Sequence, residues 1–151
     1  MKNRKIALLL IAISFSTFLK SQQLLSKNQQ EVQQTVISFF EALSDRDSLA
    51  IKKYSTSDLQ LIEYGSVWNT DTLIRKTIIL NTATDFKRTN TLNFISTTAN
   101  KNTAWASYKL HSAITRNGKQ ANLYWIESVV LVRVRKKWRL KSLHSTLIKR
   151  T

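Results

Sequence analysis

The stretch from Ala104 to Lys149, AWASYKLHSAITRNGKQANLYWIESVVLVRVRKKWRLKSLHSTLIK, decides the fold of this chain. It reads as three long β-strands interrupted at Asn117-Gly118 and at Lys136-Lys137, and it closes on Lys137-Trp138-Arg139-Leu140 and Leu143-His144-Ser145. Long antiparallel strands that follow a helical N-terminal half predict a curved sheet wrapped around helices. Such a sheet forms a cone with an apolar pocket at its open end, and that pocket is where function is sought.

Asn117-Gly118 sets the register, because both central residues of a type I′ turn need positive φ and Asn-Gly tolerates that best. A two-residue loop there pairs Arg116 with Lys119. Counting back places Leu110 opposite Trp125, Tyr108 opposite Glu127, Ala106 opposite Val129 and Ala104 opposite Leu131, all on one face. A second two-residue turn at Lys136-Lys137 would set His144 opposite Val129 and Leu140 opposite Arg133. One face then collects Tyr108, Trp125, Glu127 and His144, and a single bulge would exchange them for Trp105, Lys109 and His111.

Upstream, Val32, Val36, Phe39, Phe40 and Leu43 mark one stripe of a helix over about residues 29–44, suited to cover the sheet. Asp45-Arg46-Asp47 breaks it, and Asp47 or Ser48 caps a second, short helix that runs to about Tyr54. Leu59 to Tyr64 reads as a short strand ending at Gly65. Asn69, Thr70 and Asp71 supply the next cap, and Leu73, Ile74, Thr77 and Ile78 mark a third helix to about Thr82. Four strands complete the chain at about 87–98, 103–116, 119–135 and 138–149.

Residues 1–21 are set aside as a signal peptide: Lys2, Arg4 and Lys5 precede the apolar run Ile6–Ile13, and a more polar exit follows to Ser21, after which cleavage is expected. The run is shorter than the roughly 20 residues that span a bilayer, so no transmembrane span is expected once it is removed. The alternatives are an uncleaved anchor or a buried helix. Residues 22–28 form a short linker and 29–151 a single domain. With no cysteine the chain carries no disulfide, no thiolate and no lipid-modified cysteine, and export without cysteine suits a bacterial periplasm or exterior. Lys and Arg number 24 against 9 acids; the first 21 residues hold four of those bases, which leaves a formal +11 on the remainder. Such a charge favours anionic partners. The bases are dispersed apart from a cluster at Arg133, Arg135, Lys136, Lys137, Arg139 and Lys141, and no nucleic-acid signature accompanies them, so no specific nucleic acid is expected.

The order of elements, the Asp45-Arg46-Asp47 break, the strand end Leu61-Ile62-Glu63-Tyr64-Gly65 and the closing Lys137-Trp138-Arg139-Leu140 with His144-Ser145 together resemble the nuclear-transport-factor-2-like superfamily. Within it the chain looks most like the SnoaL-like and related uncharacterised bacterial branches, and the stretch from Glu127 to His144 is also similar to the association domain of calmodulin-dependent kinase II. The resemblance spans about residues 29–148. It implies an α+β fold: a cone-shaped curved antiparallel sheet packed on three N-terminal helices, the nuclear-transport-factor-2-like or cystatin-like α+β barrel. The superfamily includes ketosteroid isomerase, scytalone dehydratase and polyketide cyclases beside non-enzymatic binding and dimerisation domains. Its enzymes typically move a proton with a pocket carboxylate or histidine, while a tyrosine or second acid stabilises the developing charge.

Here Glu127, His144 and Tyr108 are the candidates for those roles. Burial in an apolar strand raises the pKa of Glu127 and suits it to proton transfer, unless it is a structural carboxylate bonded to Tyr108 or a nearby base. His144 is a general base or, alternatively, a satisfied core side chain. Tyr54, Trp68 and Trp125 are candidates to line the mouth for an apolar, ring-containing ligand, with plain packing as the alternative; Trp138 closes the barrel end. No metal site is expected, since His111 and His144 fall on opposite faces in this register and neither HxH nor HExxH occurs. No cofactor is implied, and the absence of a GxSxG elbow argues against acyl transfer. Tyr124, Ile126, Ser128, Val130 and Val132 give the other sheet face an apolar strip, which predicts a homodimer formed sheet against sheet.

Three functions follow from these features: a ligand-binding domain whose pocket takes a small apolar or amphipathic molecule, an isomerase, dehydratase or cyclase using Glu127 and His144, and an interaction module that holds anionic partners through its basic last hairpin.

Overall fold

The computed structural model describes residues 24–151. The expected signal segment and its cleavage after Ser21 lie outside the described residues.

Helix α1 (Lys27–Ser44) starts two residues earlier than its apolar stripe suggests, because Ser26 and Gln29 form a capping box. Its buried face is Val32, Val36, Phe39, Phe40, Ala42 and Leu43, the stripe read from the sequence. It ends where Arg46 takes a left-handed φ of 56°. Asp47 then caps α2 (Ser48–Tyr54), its side chain accepting from the Ala50 N–H at 2.9 Å. Strand β1 (Ser55–Glu63) turns through Tyr64 and Gly65, both at positive φ, into a three-residue strand, β2 (Ser66–Trp68), that the sequence reading passed over. Asn69 caps α3 (Thr70–Ile74), which continues as a π-helical turn over Arg75–Ile79. The expected third helix is therefore a short α-turn with a wider one behind it.

The remaining strands are β3 (Lys87–Ala99), β4 (Thr103–Arg116), β5 (Lys119–Val134) and β6 (Lys137–Arg150), and the six-stranded sheet runs β2-β1-β6-β5-β4-β3. Every pairing is antiparallel except β1 with β6, where the chain returns from the far side of the sheet and lies parallel. The chain is thus an α+β protein with three helices on a curved six-stranded sheet.

The β4–β5 register is the one counted from Asn117-Gly118: Arg116 pairs with Lys119, Leu110 with Trp125 and Tyr108 with Glu127. Asn117 and Gly118 have φ of 52° and 70°, and the Asp85 carboxylate accepts both of their backbone N–H groups at 2.7 Å, clamping the turn from outside.

The β5–β6 register differs from expectation. The loop is Arg135-Lys136, both at positive φ, and Arg133 pairs with Trp138. A bulge then shifts the ladder between Val130 and Leu131, so Leu140 faces Leu131, Leu143 faces Val129 and His144 faces Ser128. The turn moves β6 by two residues from the predicted pairing, which keeps its faces, and the bulge takes one back, so that beyond it the pairing is off by one. A slip of one residue exchanges the two faces of a strand.

The core lies between α1 and the concave face, where Ala104, Ala106, Tyr108 and Leu110 of β4 meet Val129 and Leu131 of β5 and Leu140 and Leu143 of β6. The valine and leucine side chains among them contribute about 1.5–3 kcal/mol each on burial. Polar contacts fix the helix on the sheet: Gln29 Nε2 donates to the Thr97 carbonyl at 2.7 Å, and Asn90 Nδ2 donates to Ser44 Oγ at 2.8 Å and to the Phe40 carbonyl at 3.1 Å.

Candidate functional site

Alternation along β3, β4 and β5 directs Arg88, Ser112, Trp125 and Glu127 inward, and β6 adds Ser145. Phe39, Phe40 and Leu43 of α1 with Leu73 and Thr77 roof the space, leaving a cavity of about 210 Å³. β1 contributes Leu61 and Glu63, and the bend behind it contributes Tyr64 and Trp68.

Glu127 is the centre of the cavity's polarity. It is 5% exposed, and its Oε1 accepts from Ser145 Oγ at 2.8 Å, whereas Oε2 has no partner. Burial raises its pKa to about 7; the Ser145 hydrogen bond, the neighbouring Tyr108 hydroxyl and the Arg88 charge oppose the rise, and Glu63 adds to it. A carboxyl poised there exchanges a proton readily near neutrality.

Arg88 approaches the same space from β3. Its Nε donates to Asn90 Oδ1 at 2.9 Å and its Nη2 to Ser112 Oγ at 3.1 Å, and its guanidinium stands 5.8 Å from the Phe40 ring centroid. Burial lowers its pKa while Glu127 and Glu63 support its charge. Burial likewise raises Glu63, against the pull of Arg88 and Lys76. One cation thus serves two carboxyls whose pKa values burial raises.

The sequence candidates separate in this geometry. Trp125 and Trp68 both line the cavity; Tyr64 stands edge-on to Trp125 at 5.6 Å, and Lys76 Nζ lies 4.5 Å from the Trp68 ring centroid. Tyr108 shares their face but stands a layer deeper. It is fully buried between Phe40 and Phe94, does not line the cavity, and its hydroxyl, across the ladder from Glu127, has no hydrogen bond of its own. Its environment holds the phenol protonated, with a pKa well above the ordinary value, first through burial and then through Glu127. Tyr54 is half-buried at the end of α2, packs on the core and does not line the cavity.

His144 is not in the pocket. It is exposed on the convex face opposite Ser128, and the bulge gives its expected place to Ser145. His111 lies on that same convex face, where the counted β4–β5 register puts it, stacked on Tyr124 at 4.5 Å and within 3.0 Å of Asn122 Oδ1; the two histidines share a face because His144 has moved. Among the described residues no group of three or more His, Asp or Glu side chains is arranged to hold a metal ion.

Arg88, Glu63 and Ser145 are the pocket residues the sequence reading missed. Arg88 carried a signal, since Arg88, Asn90, Leu92 and Phe94 alternate on one face of β3 opposite Ile114, Ser112, Leu110 and Tyr108. Ser145 carried none without the bulge.

The basic cluster on the last hairpin is partly committed. Arg133 bonds Asn28 at 3.0 Å, approaches Glu31 at 3.5 Å and lies over the Trp138 ring, and Lys141 pairs with Asp58.

A family profile for the SnoaL-like domain matches residues 32–148. The chain belongs to the SnoaL-like family. This SnoaL-like domain is also similar in fold to solved structures. One is a conserved protein from Planctomyces limnophilus, at 14% identity and TM-score 0.71 over 79% of this chain and 96% of that one. A second is an NTF2-like superfamily protein from Salmonella enterica, at 18% identity and TM-score 0.69 over 80% and 91%. A third is a ketosteroid isomerase-like protein from Erwinia carotovora, at 14% identity and TM-score 0.64 over 83% and 99%. A search of curated proteins returns no match. Identities this low establish a shared architecture, and the chemistry has to come from this chain's own residues.

Proposed function

We propose that this SnoaL-like domain binds a small apolar or amphipathic molecule in its cone. The observation that carries the reading is Glu127 Oε2, a buried carboxyl oxygen without a close hydrogen-bond partner, on the wall of a largely apolar cavity. Buried polar atoms are nearly always satisfied, and an unsatisfied one on a cavity wall is matched by a ligand's hydroxyl or carbonyl. Trp68 and Trp125 supply flat apolar walls for a ring.

The test uses the fluorescent dye N-phenyl-1-naphthylamine as probe and fills the cavity by Leu123→Trp, with folding checked by circular dichroism. One dye bound per chain, lost in Leu123→Trp, supports the reading. Absence of binding, or binding that Leu123→Trp leaves unchanged, contradicts it.

A second reading, proton-transfer chemistry of the isomerase or lyase kind, is favoured by the titration of Glu127 near 7. It rests on Glu127 alone as the proton carrier, with Tyr108 and Ser145 as positioning residues, because His144 faces away. Hydrogen exchange into cyclic ketones in heavy water, measured by NMR, tests it. Loss of exchange in Glu127→Gln supports the reading, and exchange unchanged by the substitution removes it.

The order of charges and apolar residues in residues 1–21 supports export to a bacterial periplasm or exterior. Mass spectrometry of the secreted chain is expected to find it starting at Gln22; an intact Met1 in that fraction contradicts cleavage. The exposed Trp105, Tyr124, Ile126 and Val130 on the convex sheet face support a homodimer formed across it.

A further inference from the structure

Beside the cavity lies a second, outer space of about 510 Å³. Leu43, Thr77, Arg88, Ile114 and Leu123 form part of the wall of both. The two differ in charge. Glu63 and Glu127 lie on the inner wall with Arg88 between them in sign. The outer wall adds Lys76, Arg116, Lys119 and Arg150 and has no carboxylate.

Those four cations come from three separate parts of the fold: the π-helical turn, the two sides of the β4–β5 hairpin, and the end of β6. None of them has an ion-pair partner among the described residues. The acid at the foot of the hairpin, Asp85, is already occupied by the Asn117 and Gly118 N–H groups, which hold its carboxyl below the usual carboxylate range. Side chains of like charge gathered around a concavity with low-dielectric walls concentrate field there and attract the opposite charge. Lys76 touches both spaces in effect, since it lines the outer one while its ammonium lies over Trp68 of the inner one.

Resting on the ligand reading above, we infer that the ligand is an amphipathic anion. Its apolar end occupies the inner cavity against Trp68 and Trp125, and its carboxylate, sulfonate or phosphate group lies among Lys76, Arg116, Lys119 and Arg150. The polarity is fixed by the walls: an anionic group placed inward would meet Glu127 and Glu63 with Arg88 as the one base beside them, and a cationic one placed outward would meet Lys76, Arg116, Lys119 and Arg150 with no carboxylate.

Two dyes that share a ring skeleton separate this inference from the reading beneath it. 8-Anilinonaphthalene-1-sulfonate carries an anionic group, and N-phenyl-1-naphthylamine lacks it. The expected result is that Arg116→Glu/Lys119→Glu weakens the sulfonate about tenfold, as the loss of two charge contacts implies, while the neutral dye stays within about twofold. Arg150→Glu, on a different element, is expected to act in the same direction and guards against a hairpin that fails to fold. Raising the salt should weaken only the sulfonate. Equal effects on both dyes, or none on either, overturn the anion inference and leave the ligand reading standing; failure of both dyes to bind overturns the ligand reading itself. Competition identifies the source of the anionic group. Displacement of the sulfonate by decanoate indicates a free acid, displacement only by phosphatidylglycerol vesicles a lipid headgroup, and displacement by neither overturns the inference.

Discussion

Glu127 couples stability to pH in a direction opposite to that of an ion-paired acid. Its pKa is about 7 in the folded chain against an ordinary 4.5, so between those values the folded state holds a proton that the unfolded state has released. Stability from this group is present below about pH 4.5 and is lost as pH rises towards 7, at a cost on the order of 3 kcal/mol across the window. Thermal melts of Glu127→Gln are accordingly expected to fall less between pH 5 and pH 8 than those of the parent; parallel curves would contradict the shift. Tyr108 gives a second prediction. Its hydroxyl has no close partner, and its longer contact with Glu127 across the ladder lowers the pKa of that carboxyl, so Tyr108→Phe should change stability by less than about 1 kcal/mol and move the Glu127 midpoint further up. An unmoved midpoint would contradict the contact between the two side chains. Glu127 and Trp125 were legible in the sequence because a polar or aromatic residue inside a counted register has a definite face. Tyr108 was placed on the right face but at the wrong depth, since depth depends on how Phe40 and Phe94 close over it.

The elements divide by how local their determinants are. The β4–β5 hairpin was legible to the residue because Asn117-Gly118 is a strong and self-contained turn signal. Gly118 has φ +70°, so Gly118→Ala should cost roughly 1–2 kcal/mol, read as a lower denaturant midpoint at unchanged slope; an unaltered midpoint would mean that the turn relaxes without strain. The next hairpin was not legible. Arg135, Lys136 and Lys137 are chemically alike, positive φ falls on the first two, and the bulge beyond them depends on how β6 meets both β5 and the parallel β1. The bulge sent His144 to the convex face and brought Ser145 to Glu127. The third helix was overextended for a related reason: Leu73, Ile74, Thr77 and Ile78 keep helical spacing, and a π-helical turn carries them as well as an α-helix does. Helix α1 was legible because its apolar stripe is long. Phe39 at its centre is fully buried, and Phe39→Ala is expected to cost about 3–5 kcal/mol.

At the scale of the whole molecule, the sheet has two faces with different prospects. The concave face encloses the carboxyl, Trp68 and Trp125, and the basic outer space. The convex face leaves Trp105, Tyr124, Ile126 and Val130 each about two-fifths exposed, from 39% to 46%. If two copies meet there, sedimentation should report a dimer for the parent and a monomer for Ile126→Glu/Val130→Glu. A parent that sediments as a monomer would remove the dimer. The central claim, that the cone is a ligand site organised around Glu127, is tested most directly by following the side-chain carboxyl carbon of Glu127 by ¹³C NMR through a pH titration, with and without N-phenyl-1-naphthylamine. The account predicts a midpoint near 7 in the free protein that moves when the dye binds. A midpoint at the ordinary carboxylate value, indifferent to the dye, would contradict it.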